Sequence, residues 1–132
     1  MQQKHVRSAT TLKNANHVVN TAVFVFQDQG SWFYYSPALD LTGYGDSEVE
    51  AEDSFTLSLS EMVRYTLNKK TMKRLLVSMG WKFTKAKKSK LSLEAPPMHI
   101  LLQNDEYLQD IFNSKEFVKK NRKVEIPPMA LV

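Results

Sequence analysis

Apolar residues recur with two different periods along this chain, and each change of period marks an element. His17 to Gln27, HVVNTAVFVFQ, has the alternation of a strand. Val19, Thr21, Val23 and Val25 fall on one face, and Val18, Ala22, Phe24 and Phe26 on the other. Asp28-Gln29-Gly30-Ser31 reads as a hairpin turn, with Gly30 free to go left-handed. The chain returns through Trp32–Ser36, whose Trp32, Phe33, Tyr34 and Tyr35 favour strands. Pro37 removes a donor and breaks the ladder. A third short strand is predicted over Leu41–Tyr44, with Gly43 and Gly45 read as sites of unusual backbone angle.

The period then becomes helical, predicting a helix from about Glu48 to Leu67. Val49, Ala51, Phe55, Leu59, Met62, Val63 and Leu67 lie on one side, and Glu50, Asp53, Ser54, Glu61 and Arg64 on the other. Leu57 and Tyr65 fall off the apolar stripe. Ser47, three residues before Glu50, has capping-box spacing, and Glu48, Glu50 and Glu52 suit the positive end of a helix. The stripe is expected to pack Phe55, Leu59, Met62 and Val63 against Val23, Val25, Phe33 or Tyr35. A second helix is predicted from about Lys70 to Met79, stopped by Gly80. A hairpin follows, with its tip at residues 85–89. Pro96-Pro97 ends it. Met98–Phe112 has helical spacing that Asn104 divides, capping the second piece, and Val124–Ile126 is short and extended before Pro127-Pro128. Both faces of the first two strands are apolar, so a helix on one face leaves the other needing a cover. Either the C-terminal half or a second copy of the chain must supply it; a homodimer is predicted.

The 132 residues are enough for one domain with a real core, and residues 1–16 read as a flexible basic arm ahead of a single domain over 17–132. No apolar run approaches the length of a membrane span, and the N-terminal residues lack the apolar stretch of a secretory signal. The absence of cysteine excludes disulfides and thiolate metal sites, and fits a cytoplasmic protein. The net charge of +4 is unevenly spread. Residues 31–67 hold seven acids against Arg64 alone. Residues 68–90 hold nine bases and no acid. That run fits either a solvated surface or a patch for a phosphate backbone.

Ser36-Pro37-Ala38-Leu39-Asp40-Leu41-Thr42-Gly43-Tyr44-Gly45-Asp46, followed by Ser47, Glu50 and Ala51, resembles the HicB-like antitoxin family. There an extended segment leads into a Pro-centred "PDLPGC" type stretch and a "T/S-x-x-E-A" helix start. The resemblance covers roughly residues 17–67. It implies an α+β fold: an antiparallel sheet of three or four strands with a long helix on one face. A helical C-terminal half would cover the remainder. It also implies a non-enzymatic antitoxin, or a stand-alone relative, that occludes a basic ribonuclease toxin. The acidic Asp46–Glu61 region, with Glu50, Asp53 and Glu61, would meet the toxin's positive surface. HicB-like relatives often carry a C-terminal helix-turn-helix or ribbon-helix-helix module for operator DNA, and neither is evident here.

No metal or cofactor is expected. His5, His17 and His99 have no zinc-like spacing, and no P-loop, GxSxG or dinucleotide fingerprint occurs. The HicB-like fold has been described as a reduced relative of RNase H, which holds two metals on strand carboxylates. Asp40, Asp46 and Asp53 have no such spacing and read as capping and solvated residues. The order of residues 70–93, short helix, Gly-Trp and basic hairpin, is similar to the HicA toxin family. The catalytic Gly-Ser-His of that family is missing: Lys88-Ser89-Lys90 stands there, and no histidine lies between His17 and His99. The alternative function is a nucleic-acid-binding module using residues 68–90, with Lys85, Lys87 and Lys88 on phosphate and Trp81 and Tyr34 as stacking surfaces.

Overall fold

The computed structural model describes residues 17–85 and 91–127, apart from the side chains of Lys85, Leu91 and Ser92. The proposed basic arm, Lys87 and Lys88 lie outside the described residues. The fold is α+β. Strand β1 (His17–Asp28) turns through Gln29 and Gly30, both at positive φ, into β2 (Ser31–Ser36), and β3 (Leu41–Gly45) follows. Helix α1 (Glu48–Lys69) crosses the sheet. Then come α2 (Met72–Ser78), a hairpin of β4 (Lys82–Lys85) and β5 (Leu91–Glu94), α3 (Met98–Asn104), α4 (Glu106–Ser114) and β6 (Phe117–Ile126). The four-stranded sheet has the order β3-β2-β1-β6 and is antiparallel throughout.

One face of the sheet packs on α1. Val23, Val25, Tyr34, Val124 and Ile126 meet Ala51 and Phe55 there, and the cluster extends to Met72, Leu76 and Trp81. The expected partners Phe33 and Tyr35 are on the opposite face. Register decides this: Tyr34 is paired with Val25, and paired residues share a face. The Tyr34 and Phe55 ring centroids are 4.9 Å apart. Val49 is also not part of the buried stripe. It lies about 120° around the helix from Phe55 and is exposed. Thr66 is buried instead, its hydroxyl donating back to the Met62 carbonyl.

The other face is covered from within the chain. Phe24, Phe26 and Tyr35 pack against Leu108 and Ile111 of α4, with Leu101 and Leu102 of α3 alongside. Asp105, rather than Asn104, caps α4 by accepting from the Leu108 amide. The C-terminal half is not helical to its end. Residues 117–126 form a ten-residue strand that pairs along nearly all of β1, whereas the sequence pattern predicts an extended segment only over Val124–Ile126. The glycines of β3 also act differently from expectation, since neither has a positive φ. A side-chain carbon at Gly43 would collide with the Ala51 carbonyl and the Phe55 amide, so this glycine lets α1 lie close on the strand.

Candidate functional site

The start of α1 is held by reciprocal capping. The Ser47 hydroxyl accepts from the Glu50 amide at 3.1 Å, and the Glu50 carboxylate accepts from the Asp46 amide at 3.0 Å. The second bond reaches one residue further back than the usual capping box. It orients the Glu50 side chain and leaves its residue exposed.

The acids of α1 then divide into two sets. Glu48 and Glu52 turn toward β6. Lys120 Nζ lies 2.6 Å from Glu48 Oε2, and Arg122 Nη1 lies 3.4 Å from Glu52 Oε2. Arg122 also donates to Thr56 Oγ1 at 2.8 Å, and its guanidinium sits over Phe55 at 5.4 Å and Tyr34 at 5.9 Å. The hydrogen bond to Glu48 raises the Lys120 ammonium above its ordinary pKa. Glu50, Asp53 and Glu61 point outward, and none forms an ion pair among the described residues. Val49, Asp53, Leu57, Glu61 and Tyr65 are spaced four apart and make one ridge. Its apolar members are open to solvent: Val49 is 67% exposed, Leu57 61% and Tyr65 63%. Glu61 and Tyr65 border a shallow groove with Ser58, Met62, Arg64 and Asn68.

Glu50, Asp53 and Glu61 thus share one helix surface. Sequence reasoning placed Val49 inside and did not connect it with Leu57 and Tyr65. The i, i+4 spacing was the signal for that ridge. It also missed Lys120 and Arg122, because nothing in a basic run near the C-terminus points to a partner in α1.

The stacking surfaces of the nucleic-acid alternative are not available. Trp81 is 2% exposed and donates its indole N–H to the Ala38 carbonyl at 2.7 Å. Tyr34 is buried under α1. Of the phosphate-contact candidates, Lys85 ends β4, with its side chain outside the described residues, as are Lys87 and Lys88. No cluster of His, Asp or Glu among the described residues could hold a metal, and none of their helices is long and apolar enough to cross a membrane. No family model, curated protein or solved structure matches this chain.

Proposed function

We propose that this protein is a HicB-like antitoxin or a stand-alone relative, acting without catalysis by occluding a small basic ribonuclease of the HicA type. The observation that carries the reading is the outward ridge of α1. Three exposed apolar side chains alternate there with Asp53 and Glu61, and Glu50 lies beside them. Two further acids of the same helix are already consumed by β6 and Glu50 also serves as a cap, so Asp53 and Glu61 are the acids most available to a partner, with Glu50 beside them. An acidic surface repels nucleic acid and attracts a cationic protein, and its apolar members supply area that desolvates on docking. The resemblance of residues 17–67 to the HicB-like family names the kind of partner.

The test is co-expression in bacteria with a HicA-type ribonuclease from the same genome, read as growth rescue. Wild-type protein restores growth. Glu50→Lys, Asp53→Lys and Glu61→Lys together abolish rescue, while the reversal of Lys85, Lys87 and Lys88 to Glu leaves it intact. Rescue that survives the helix reversal refutes this docking face.

The reading includes a homodimer. The covered second face of the sheet removes one reason for it. The remaining support is the aromatic edge, where Tyr44 is 64% exposed beside Phe33, with ring centroids 6.5 Å apart.

A further inference from the structure

The described cations of residues 68–85 gather at one pole of the molecule. Lys70 closes α1 in a left-handed conformation, with φ 57° and ψ 40°, and its amide bonds back to the Leu67 and Thr66 carbonyls. This reverses the chain so that α2 begins two residues later. Met72 and Leu76 of α2 enter the core, which leaves Lys73 and Arg74 outside. Gly80, at φ +95°, turns the chain again, and the Trp81 amide bonds the Leu76 carbonyl at 3.0 Å. β4 is therefore held against α2, with Lys73 Nζ 5.6 Å from the centre of the Phe83 ring; Lys82, the preceding strand residue, is exposed on the other face of the hairpin.

Lys69, Lys70, Lys73, Arg74 and Lys82 are all exposed, and none forms an ion pair among the described residues. Lys69 is explained in part by the negative end of the α1 dipole. Lys73 lies over Phe83 and Lys82 stands opposite Glu94 in the β4–β5 ladder, without an ion pair between them, and Lys70 and Arg74 have no such local partner among the described residues. From Asp53 to Lys70 the helix rises about 25 Å at 1.5 Å per residue. The Debye length is about 8 Å at physiological ionic strength, so the acidic end of the ridge does not neutralise this pole.

We propose that this basic pole binds the phosphate backbone of duplex nucleic acid, independently of the docking ridge on α1. The contact is one of charge without base stacking, because Trp81 and Tyr34 are buried and Lys73 lies over Phe83. An anionic lipid surface suits it less. A membrane-lying helix presents an apolar face to the lipid, and the apolar face of α2 is already spent on the core.

The experiment is fluorescence anisotropy of full-length protein with labelled duplexes of about 20 base pairs, one DNA and one RNA, titrated between about 50 and 200 mM KCl. A matching single strand and vesicles containing phosphatidylserine complete the set. Both duplexes are expected to bind, with log K falling against log salt at a slope of about −4, as for four or five neutralised phosphates. Lys73→Glu, Arg74→Glu and Lys82→Glu together weaken binding roughly thirty-fold or more at the lower salt and flatten the slope. Lys69→Glu with Lys70→Glu is the second variant, made because Lys73 contacts Phe83; circular dichroism checks that each is folded. The proposal is overturned by no duplex binding at the lower salt, by a slope shallower than about −2, or by folded variants that bind like wild type. Tighter binding to the single strand than to either duplex, or binding to vesicles alone, also overturns it.

Discussion

Arg122 on the last strand reaches Glu52 on the first long helix, 70 positions earlier in the chain, and in doing so clamps α1 to the edge of the sheet. Its guanidinium covers the rings of Phe55 and Tyr34 while its nitrogens reach Glu52 and Thr56. Arg122→Ala should cost about 1.5–3 kcal/mol, read as a lower urea midpoint at unchanged slope. Arg122→Lys should recover little of this, because an ammonium cannot lie flat on two rings and hold both oxygens. An unaltered midpoint in the alanine variant would remove the clamp from the account.

Phe55 is fully buried between α1 and the sheet. Phe55→Ala should destabilise the protein by about 3–5 kcal/mol through lost burial and the cavity left behind. Calorimetry checks this, and a melting temperature equal to that of wild type contradicts the packing of α1 on β2.

At Gly43 the obstacle is the backbone of α1. Gly43→Ala has no favourable φ change to make and must push the helix off the strand. It should cost about 1–3 kcal/mol, as overpacking does. Gly30→Ala, where nothing lies within 4 Å but φ is +84°, provides the contrasting case of backbone strain. Hydrogen exchange in α1 separates them. It should accelerate for Gly43→Ala, relative to the global change, and not for Gly30→Ala; equal protection in both variants counts against the close approach.

Tyr35 donates its hydroxyl to the Asp105 carboxylate, which also caps α4. Burial first, and then that bond, pushes the Tyr35 phenol far above its ordinary range. The sign follows from linkage. In the unfolded chain the phenol ionises near about pH 10, while in the folded protein it keeps its proton. The native state therefore binds more protons there, and stability falls as pH rises beyond that point. Tyr35→Phe should be less stable at neutral pH by about 1–3 kcal/mol, since a buried bond to a charged group is lost. It should also lose part of the alkaline decline. Parallel stability curves for the two proteins above pH 10 would show that Tyr35 is not the group responsible.

The exposed Tyr44 beside Phe33 gives the proposed homodimer a direct check. Sedimentation equilibrium of wild type should show a dimer, and Tyr44→Glu should shift it toward the 15.2 kDa monomer. A wild-type protein that sediments only as monomer at tens of micromolar ends that part of the reading.

Local rules are enough to read the first half of the fold, where each element satisfies one. Alternation in Val19–Phe26, the Gln29-Gly30 turn, the Pro37 break, the Ser47 cap and the 3.6-residue stripe of α1 all depend on neighbours a few residues apart. The same locality made Glu50, Asp53 and Glu61 legible as one outward helix surface. The tertiary structure decided what depends on distant partners. β6 has six polar residues in ten and no alternation, because Lys120 and Arg122 occupy positions facing α1, where they pair with Glu48 and Glu52. Gly43 is needed by a helix surface that no local pattern reveals. Trp81 had the composition of a stacking residue until the Ala38 carbonyl took its donor and the core took its ring. Burial, pairing and register are properties of residues brought together from far along the chain, and a local period carries no information about which distant segment will arrive.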